Sequence, residues 1–351
     1  MPSYRVGIVG CSGIAAASSK TWPGSPIIDP MPDSHAASYA VVPSTRVVAV
    51  CDIVPSLLDQ FVHDWNAAWP DVHTYTDYRD LLAREQIDIL SVATSDHRHA
   101  DIVVDAASAG VKAILCEKPM ATTLADADRM IEAVERNNVV MTVEHTRRWS
   151  GLYHQARQLA RDGAIGPIGR IAGYLGGPRA MLFRNGTHLI DLFCFFAESD
   201  PEWVVGELDP GFEDYFEYRG DGGRDPATDP GASGYIHFAN GVRAFYNGSK
   251  GTPSGFSVEL YGPQGMIKMD DTLLELWTVD EKKRFAGRPI SQPGFMKSHI
   301  LGAVDELLRL MEHGGQGISD GREARKTVAV MVGLLESQRR GNGRVNLKEL
   351  G

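Results

Sequence analysis

Cysteine is scarce in this chain. It occurs four times in 351 residues, at Cys11, Cys51, Cys116 and Cys194, and never as a C-x-x-C pair. That excludes a disulfide scaffold, and the four read as reduced thiols packed as small apolar groups. No Cys/His cluster has metal-ligand spacing, so no metal is expected. Long apolar runs are missing too: none approaches the roughly 18 residues of a membrane span. The first strand-like run begins within five residues of Met1, so no apolar leader is expected. A soluble, cytoplasmic protein with no membrane partner is expected. Cationic excess is also absent. There are 35 Lys and Arg against 45 Asp and Glu, a net charge of −10, whereas a nucleic-acid partner requires clustered cations. Internal repeats and low-complexity tracts are lacking as well.

What is there is a globular composition, 43% hydrophobic and 23% charged, in a chain too long for one ordinary core. Over the first 145 residues short Val- and Ile-rich runs (4–9, 46–51, 87–93, 111–116, 139–143) alternate with helical patterns such as 55–69 and 124–136. Such runs suit parallel strands buried on both faces, and the alternation predicts a Rossmann-type, doubly wound parallel sheet. Past Trp149 the pattern changes. Two helical stretches, 151–161 and 187–197, precede and interrupt strand-like runs separated by turns such as Asn240-Gly241 and Gly262-Pro263. Two further helices, 297–312 and 322–337, close the chain. This predicts an α+β domain with a large, mostly antiparallel sheet. The expected domains are 1–145 for dinucleotide binding and 146–351 for substrate binding and oligomerisation. Two long loops, 21–34 and 209–233, interrupt the pattern. The second lies outside every motif and is expected to be peripheral to the chemistry.

Three motifs carry chemistry. The run Val6-Gly7-Ile8-Val9-Gly10-Cys11-Ser12-Gly13-Ile14-Ala15 follows a strand and should open a helix, the context of a dinucleotide fingerprint. Ser12 stands where the fingerprint has its middle glycine, and a plain Gly-rich helix cap is the alternative. Asp52 ends the second strand, where an acid binds ribose hydroxyls. It repels a 2′-phosphate, and no arginine follows it, so NAD is favoured over NADP. Its alternative role is to cap the helix beginning at Pro55. The second motif, Glu117-Lys118-Pro119, ends a strand at the carboxyl edge of the sheet, where open α/β folds bind ligands. The third, Arg184-Asn185-Gly186-Thr187-His188-Leu189-Ile190-Asp191, places His188 and Asp191 on one helical face. There a histidine can accept a proton. The alternatives are a solvated Lys118 beside a turn and a capping or core His188. His97 and His99 have no third ligand near in sequence.

The order and context of these motifs resemble the Gfo/Idh/MocA oxidoreductase family. The resemblance implies a cofactor side formed by Gly10, Ser12, Gly13, Ile14, Asp52, Glu117 and Lys118. The loop Ala93-Thr94-Ser95-Asp96-His97-Arg98-His99 resembles the family's A-T-P-N-x-x-H segment, which brings in Thr94, Ser95, Asp96 and His99. Glu144-His145-Thr146-Arg147-Arg148-Trp149 resembles N-x-R-R-F, which lines the substrate cleft. Lys118, Arg147, Trp149, Arg184, Thr187 and His188 are the expected substrate residues, with Arg147 and Arg148 as alternative interdomain ion pairs. Lys118, His188 and Asp191 are the expected catalytic set. Arg184 occupies the position of the family's acid in D-x-G-x-H-x-x-D, while N-G-[ST]-H-x-x-D, another version, is matched closely. The activity implied is NAD-dependent hydride transfer from a secondary alcohol of a sugar, glycoside or cyclitol, by a homodimer or homotetramer. The alternatives are a redox-neutral enzyme that retains its cofactor and a non-catalytic nucleotide sensor.

Overall fold

The computed structural model describes residues 4–17, 32–220, 225–291 and 297–350. They fall into two compact units. One comprises Met1–Ala121, Asp126–Trp149 and Phe295–Arg322; the other comprises Thr122–Ala125, Ser150–Gly294 and Glu323–Gly351.

The first unit is built on strands β1 (Tyr4–Val9), β2 (Thr45–Cys51), β3 (His73–Tyr75), β4 (Ile89–Val92), β5 (Ala113–Cys116) and β6 (Val140–Val143). All pair in parallel, in the order β3-β2-β1-β4-β5-β6. Helices α1 (His35–Val41), α2 (Pro55–Trp65), α3 (Tyr78–Arg84), α4 (His99–Ser108) and α5 (Leu124–Arg136) provide the crossovers. Strands β4 and β5 are buried along their whole length, which is why their sequences are apolar without alternation. The strand order reverses between β1 and β4, where a doubly wound sheet opens a crevice at its carboxyl edge.

One expectation is corrected here. The glycine turn opens only a single 3-10 turn, Gly13–Ala15, and the longer helix α1 begins at His35 behind an Ser34 cap. The chain between them carries Pro23, Pro26 and Pro30. Most of the 21–34 loop lies outside the described residues.

In the second unit α6 (Gly151–Arg161) leads to β7 (Arg170–Gly176), and α7 (Gly186–Ala197) to β8 (Pro201–Leu208). Then follow β9 (Ala232–Phe238), β10 (Arg243–Ser249), β11 (Gly255–Gly262), β12 (Gly265–Met269), β13 (Leu274–Val279) and β14 (Phe285–Pro289). With β15 (Val345–Asn346) they make a nine-stranded sheet, β14-β13-β12-β11-β7-β10-β9-β8-β15. Among the described residues of this sheet only β7 and β10 pair in parallel. Helix α7 lies on this sheet. A Cβ at Gly173 of β7 would sit 2.6 Å from both Leu189 and Phe193, so the glycine is what permits the close approach.

Helix α8 (His299–His313) belongs to the first unit, and α9 (Gly321–Arg339) runs into the second. Ile300, Ala303, Val304 and Leu307 of α8 share one core with Ala36, Tyr39 and Trp149. The chain therefore re-enters the first unit late, which a boundary at 145–146 does not capture. No helix among the described residues is long and apolar enough to cross a membrane. All four cysteines are buried and none is disulfide-bonded.

Candidate active site

The glycine turn and the loop after β4 meet where the strand order reverses. Gly10 has φ +95°, and a Cβ on it would lie 2.4 Å from the Ala93 carbonyl oxygen. Glycine is required there on both counts. Gly13 takes the other positive φ, 53°. Ser12 is extended, at φ −115° and ψ 153°, so serine in the middle position costs no backbone strain. Ser12 is half-buried, and Gly13 and Ile14 are exposed.

Asp52 ties this turn to the end of β2. Its Oδ2 accepts the Cys11 N–H at 2.8 Å and its Oδ1 accepts the Val54 N–H at 2.9 Å. A carboxylate has about four lone-pair sites, so capacity remains for ribose hydroxyls. Val54, not Asp52, is the capping residue of α2. The turn therefore fits a dinucleotide: backbone can approach closely at Gly10, and the acid keeps unused acceptor sites.

The loop 93–99 is held from within. His99 is fully buried, with Nδ1 3.0 Å from the Pro119 oxygen and Nε2 3.2 Å from the Thr94 oxygen. It links the loop to the segment behind Lys118 and does not face outward. Thr94 and Ser95 are half-buried and Asp96 is buried.

Lys118 follows β5 and is half-buried. Its backbone N–H donates to Glu117 Oε2 at 3.3 Å. Glu117 Oε1 lies 3.1 Å from His35 Nε2, His35 Nδ1 lies 3.0 Å from Ser91 Oγ, and Ser91 Oγ lies 2.9 Å from Tyr39 OH. An ionised Glu117 can only accept, so His35 Nε2 carries the hydrogen between them. Burial works to raise the Glu117 pKa. The His35 hydrogen bond, then the His35, Lys118 and His99 charges, outweigh it and hold the carboxyl below its ordinary value. His35 was not foreseen: it sits directly behind the insertion, where the helix pattern restarts with no motif around it.

Glu144 leaves β6 beside Glu117, its N–H donating to the Cys116 oxygen at 2.8 Å. Burial, then the Glu117 charge, pushes its carboxyl up to about 8, against the Thr146 hydrogen bond and the Lys118 and Arg147 charges. One neighbour departs from expectation. Trp149 is buried in the core, and its indole N–H donates to Glu306 Oε2 at 2.9 Å. Its face is covered by protein and is not offered to a sugar. Arg148 is buried as well and donates to the Ile318 oxygen within the same unit, while Arg147 is half-buried.

In the second unit, His188 is the one half-buried residue of α7; the rest, including Thr187 and Asp191, are buried. The approach to this helix is fixed by the 209–233 segment, which is therefore not remote from the motifs. Asp229, fully buried, accepts the Arg184 N–H on Oδ2 at 2.9 Å and the Phe183 N–H on both oxygens at 3.2 Å. The Leu182 N–H donates to the Pro230 oxygen at 2.7 Å. Tyr218 stacks on Phe183 with centroids 4.1 Å apart, and the Lys250 ammonium donates to the Pro226 and Asp229 oxygens. Arg184, in the position of the family acid, is half-buried.

Residues 4–145 match the model of an oxidoreductase family with an NAD-binding Rossmann fold, and residues 153–268 match the Gfo/Idh/MocA C-terminal domain. The chain belongs to the Gfo/Idh/MocA family. It is 35% identical over 133 residues to D-apiose dehydrogenase of Paraburkholderia graminis, covering 38% of this chain and 34% of that protein. It is 35% identical over 126 residues to inositol 2-dehydrogenase of Salmonella typhimurium, covering 36% of each. The matched stretch thus spans about a third of these relatives. Among solved structures, an oxidoreductase from Agrobacterium radiobacter, crystallised with NAD+, L-tartaric acid and magnesium, superposes with a TM-score of 0.74. It is 19% identical, and the match covers 99% of this chain and 100% of that one.

Proposed function

We propose that this Gfo/Idh/MocA protein is an NAD-dependent dehydrogenase acting on a secondary alcohol of a sugar, glycoside or cyclitol. The observation that carries the reading is Lys118 at the carboxyl edge of β5, its strand end anchored by the buried Tyr39–Ser91–His35–Glu117 series. The names of the apiose and inositol dehydrogenases support the substrate class. Gly10, Ser12, Gly13, Ile14, Asp52 and the 94–96 loop would hold the cofactor, and Asp52 favours NAD over NADP. When bound, NAD supplies the hydride acceptor. Lys118 orients the hydroxyl and stabilises negative charge as it develops on oxygen. His188 takes the hydroxyl proton, and Asp191, one turn on, orients it. Arg147, Arg184 and Thr187 complete the proposed substrate contacts. A homodimer or homotetramer is part of the same reading.

The test is NADH formation over a panel of polyols, aldoses, glycosides and cyclitols. One NADH per substrate oxidised is expected. Substrate consumption without net NADH would replace this reading with a redox-neutral reaction that retains its cofactor.

A further inference from the structure

We propose that Glu144 carries a proton at neutral pH and acts as a positioning residue that fixes the charge around Lys118, so that its ionisation sets the alkaline limit of turnover. The inference deepens the dehydrogenase reading and rests on it for the role of Lys118.

The two acids leave adjacent strands at one sheet edge. Strands β5 and β6 pair in register, with Cys116 opposite Val143, so Glu117 and Glu144 follow side by side. Both are buried, at 7% and 1% exposure. Their surroundings differ. Glu117 has the His35 ring on one oxygen and a backbone N–H on the other. On Glu144 the Thr146 hydroxyl donates to Oε2 at 2.8 Å, while Oε1 is buried with no hydrogen-bond partner among the described residues. A carboxyl without an ionic hydrogen bond, out of water and beside a like charge, is cheapest when neutral. The groups facing it are Glu117, which opposes its ionisation, and Thr146, Lys118 and Arg147, which favour it. Burial and Glu117 prevail.

The consequence follows from charge. With Glu144 neutral, only Glu117 of the two acids is charged beside Lys118, and Glu117 already has His35 on its other side. Ionised Glu144 adds a second negative charge in a desolvated place, where it opposes the negative charge that develops on the substrate oxygen. No bond is made or broken at Glu144 other than its own O–H.

The acid is tested in the full chain by an NMR titration of labelled glutamate carboxyls. One carboxyl should titrate with a midpoint near 8, and its signal should vanish in Glu144→Gln. A midpoint in the ordinary carboxylate range would overturn the proposal. Stability gives an independent reading. For an acid whose pKa is raised from 4.5 to about 8 on folding, stability falls as pH rises through that window and is level above it. The urea midpoint of the wild type should therefore drop relative to Glu144→Gln between those values, and parallel curves would count against the assignment. If dehydrogenase activity is found, wild-type turnover should fall several-fold from one pH unit below the midpoint to one unit above, and Glu144→Gln should hold its rate across that interval. A limb that persists in Glu144→Gln refutes the role at Lys118. Titration near 8 with no activity on any alcohol overturns the dehydrogenase reading and with it the role, while leaving the buried acid in place.

Discussion

Lys118 and His188 carry the sharpest expectation. Lys118→Met and His188→Ala should keep fold and NAD affinity while turnover falls by roughly 10²–10⁴, the usual contribution of a positioned acid or base. The losses should be less than additive in the double variant, because both residues handle the same proton and developing charge. Steady-state rates with the true substrate check this, and comparable turnover in Lys118→Met would remove the lysine from the mechanism. The strand end before Lys118 and the helix that holds His188 were legible because their motifs are local: an acid and a proline flank the lysine, and a glycine starts the histidine helix. Ser12 also became intelligible, since its extended backbone needs no glycine. His35, Glu144 and Asp229 were not legible. Each acts through a partner distant in sequence, or through burial that no local pattern announces. Trp149 was misread for the converse reason. An aromatic beside two arginines suits a sugar cleft and a core equally well, and only its neighbours Ala303 and Leu307 decide.

At the scale of elements, the parallel strands were read from composition because burial on both faces forces apolar runs. In the second sheet, β10 alternates exposed and buried residues as a half-covered strand should. β14 is exposed throughout, so no hydrophobic signal marked it. The 209–233 segment reads as irregular and hence as peripheral to the chemistry. Its buried Asp229 instead accepts the backbone donors just ahead of α7. Asp229→Ala should leave the Phe183 and Arg184 N–H groups without that acceptor, at about 1–3 kcal/mol for each buried donor stranded. Urea unfolding should show the loss, and Asp229→Asn, which keeps one acceptor oxygen, should lose less. Because the proposed cofactor residues lie in the other unit, NAD affinity of the folded Asp229→Asn variant should be unchanged. A collapse of that affinity would mean the segment serves the cofactor directly.

At the scale of the whole molecule, the order of the chain does not follow the order of its cores. A periodic helix near the carboxyl end announces an apolar face but not the sheet it covers, so α8 was assigned by proximity in sequence. Its Ile300, Val304, Leu307 and Leu308 pack into the core that holds Tyr39 and Trp149, and Glu306 takes the Trp149 indole N–H and the Ile318 backbone N–H. Burying a side chain of that size contributes about 1.5–3 kcal/mol. Four of them amount to on the order of 6–12 kcal/mol, comparable with the entire stability of an ordinary domain, about 5–15 kcal/mol. A fragment of residues 1–149 therefore lacks the margin to fold, although it contains every strand of the parallel sheet. It should show no cooperative unfolding transition, bind hydrophobic dyes and fail to bind NAD. Adding a peptide of residues 297–322 in excess should restore a transition whose midpoint depends on peptide concentration. A fragment that unfolds cooperatively on its own would show that α8 merely covers the first unit and does not complete its core.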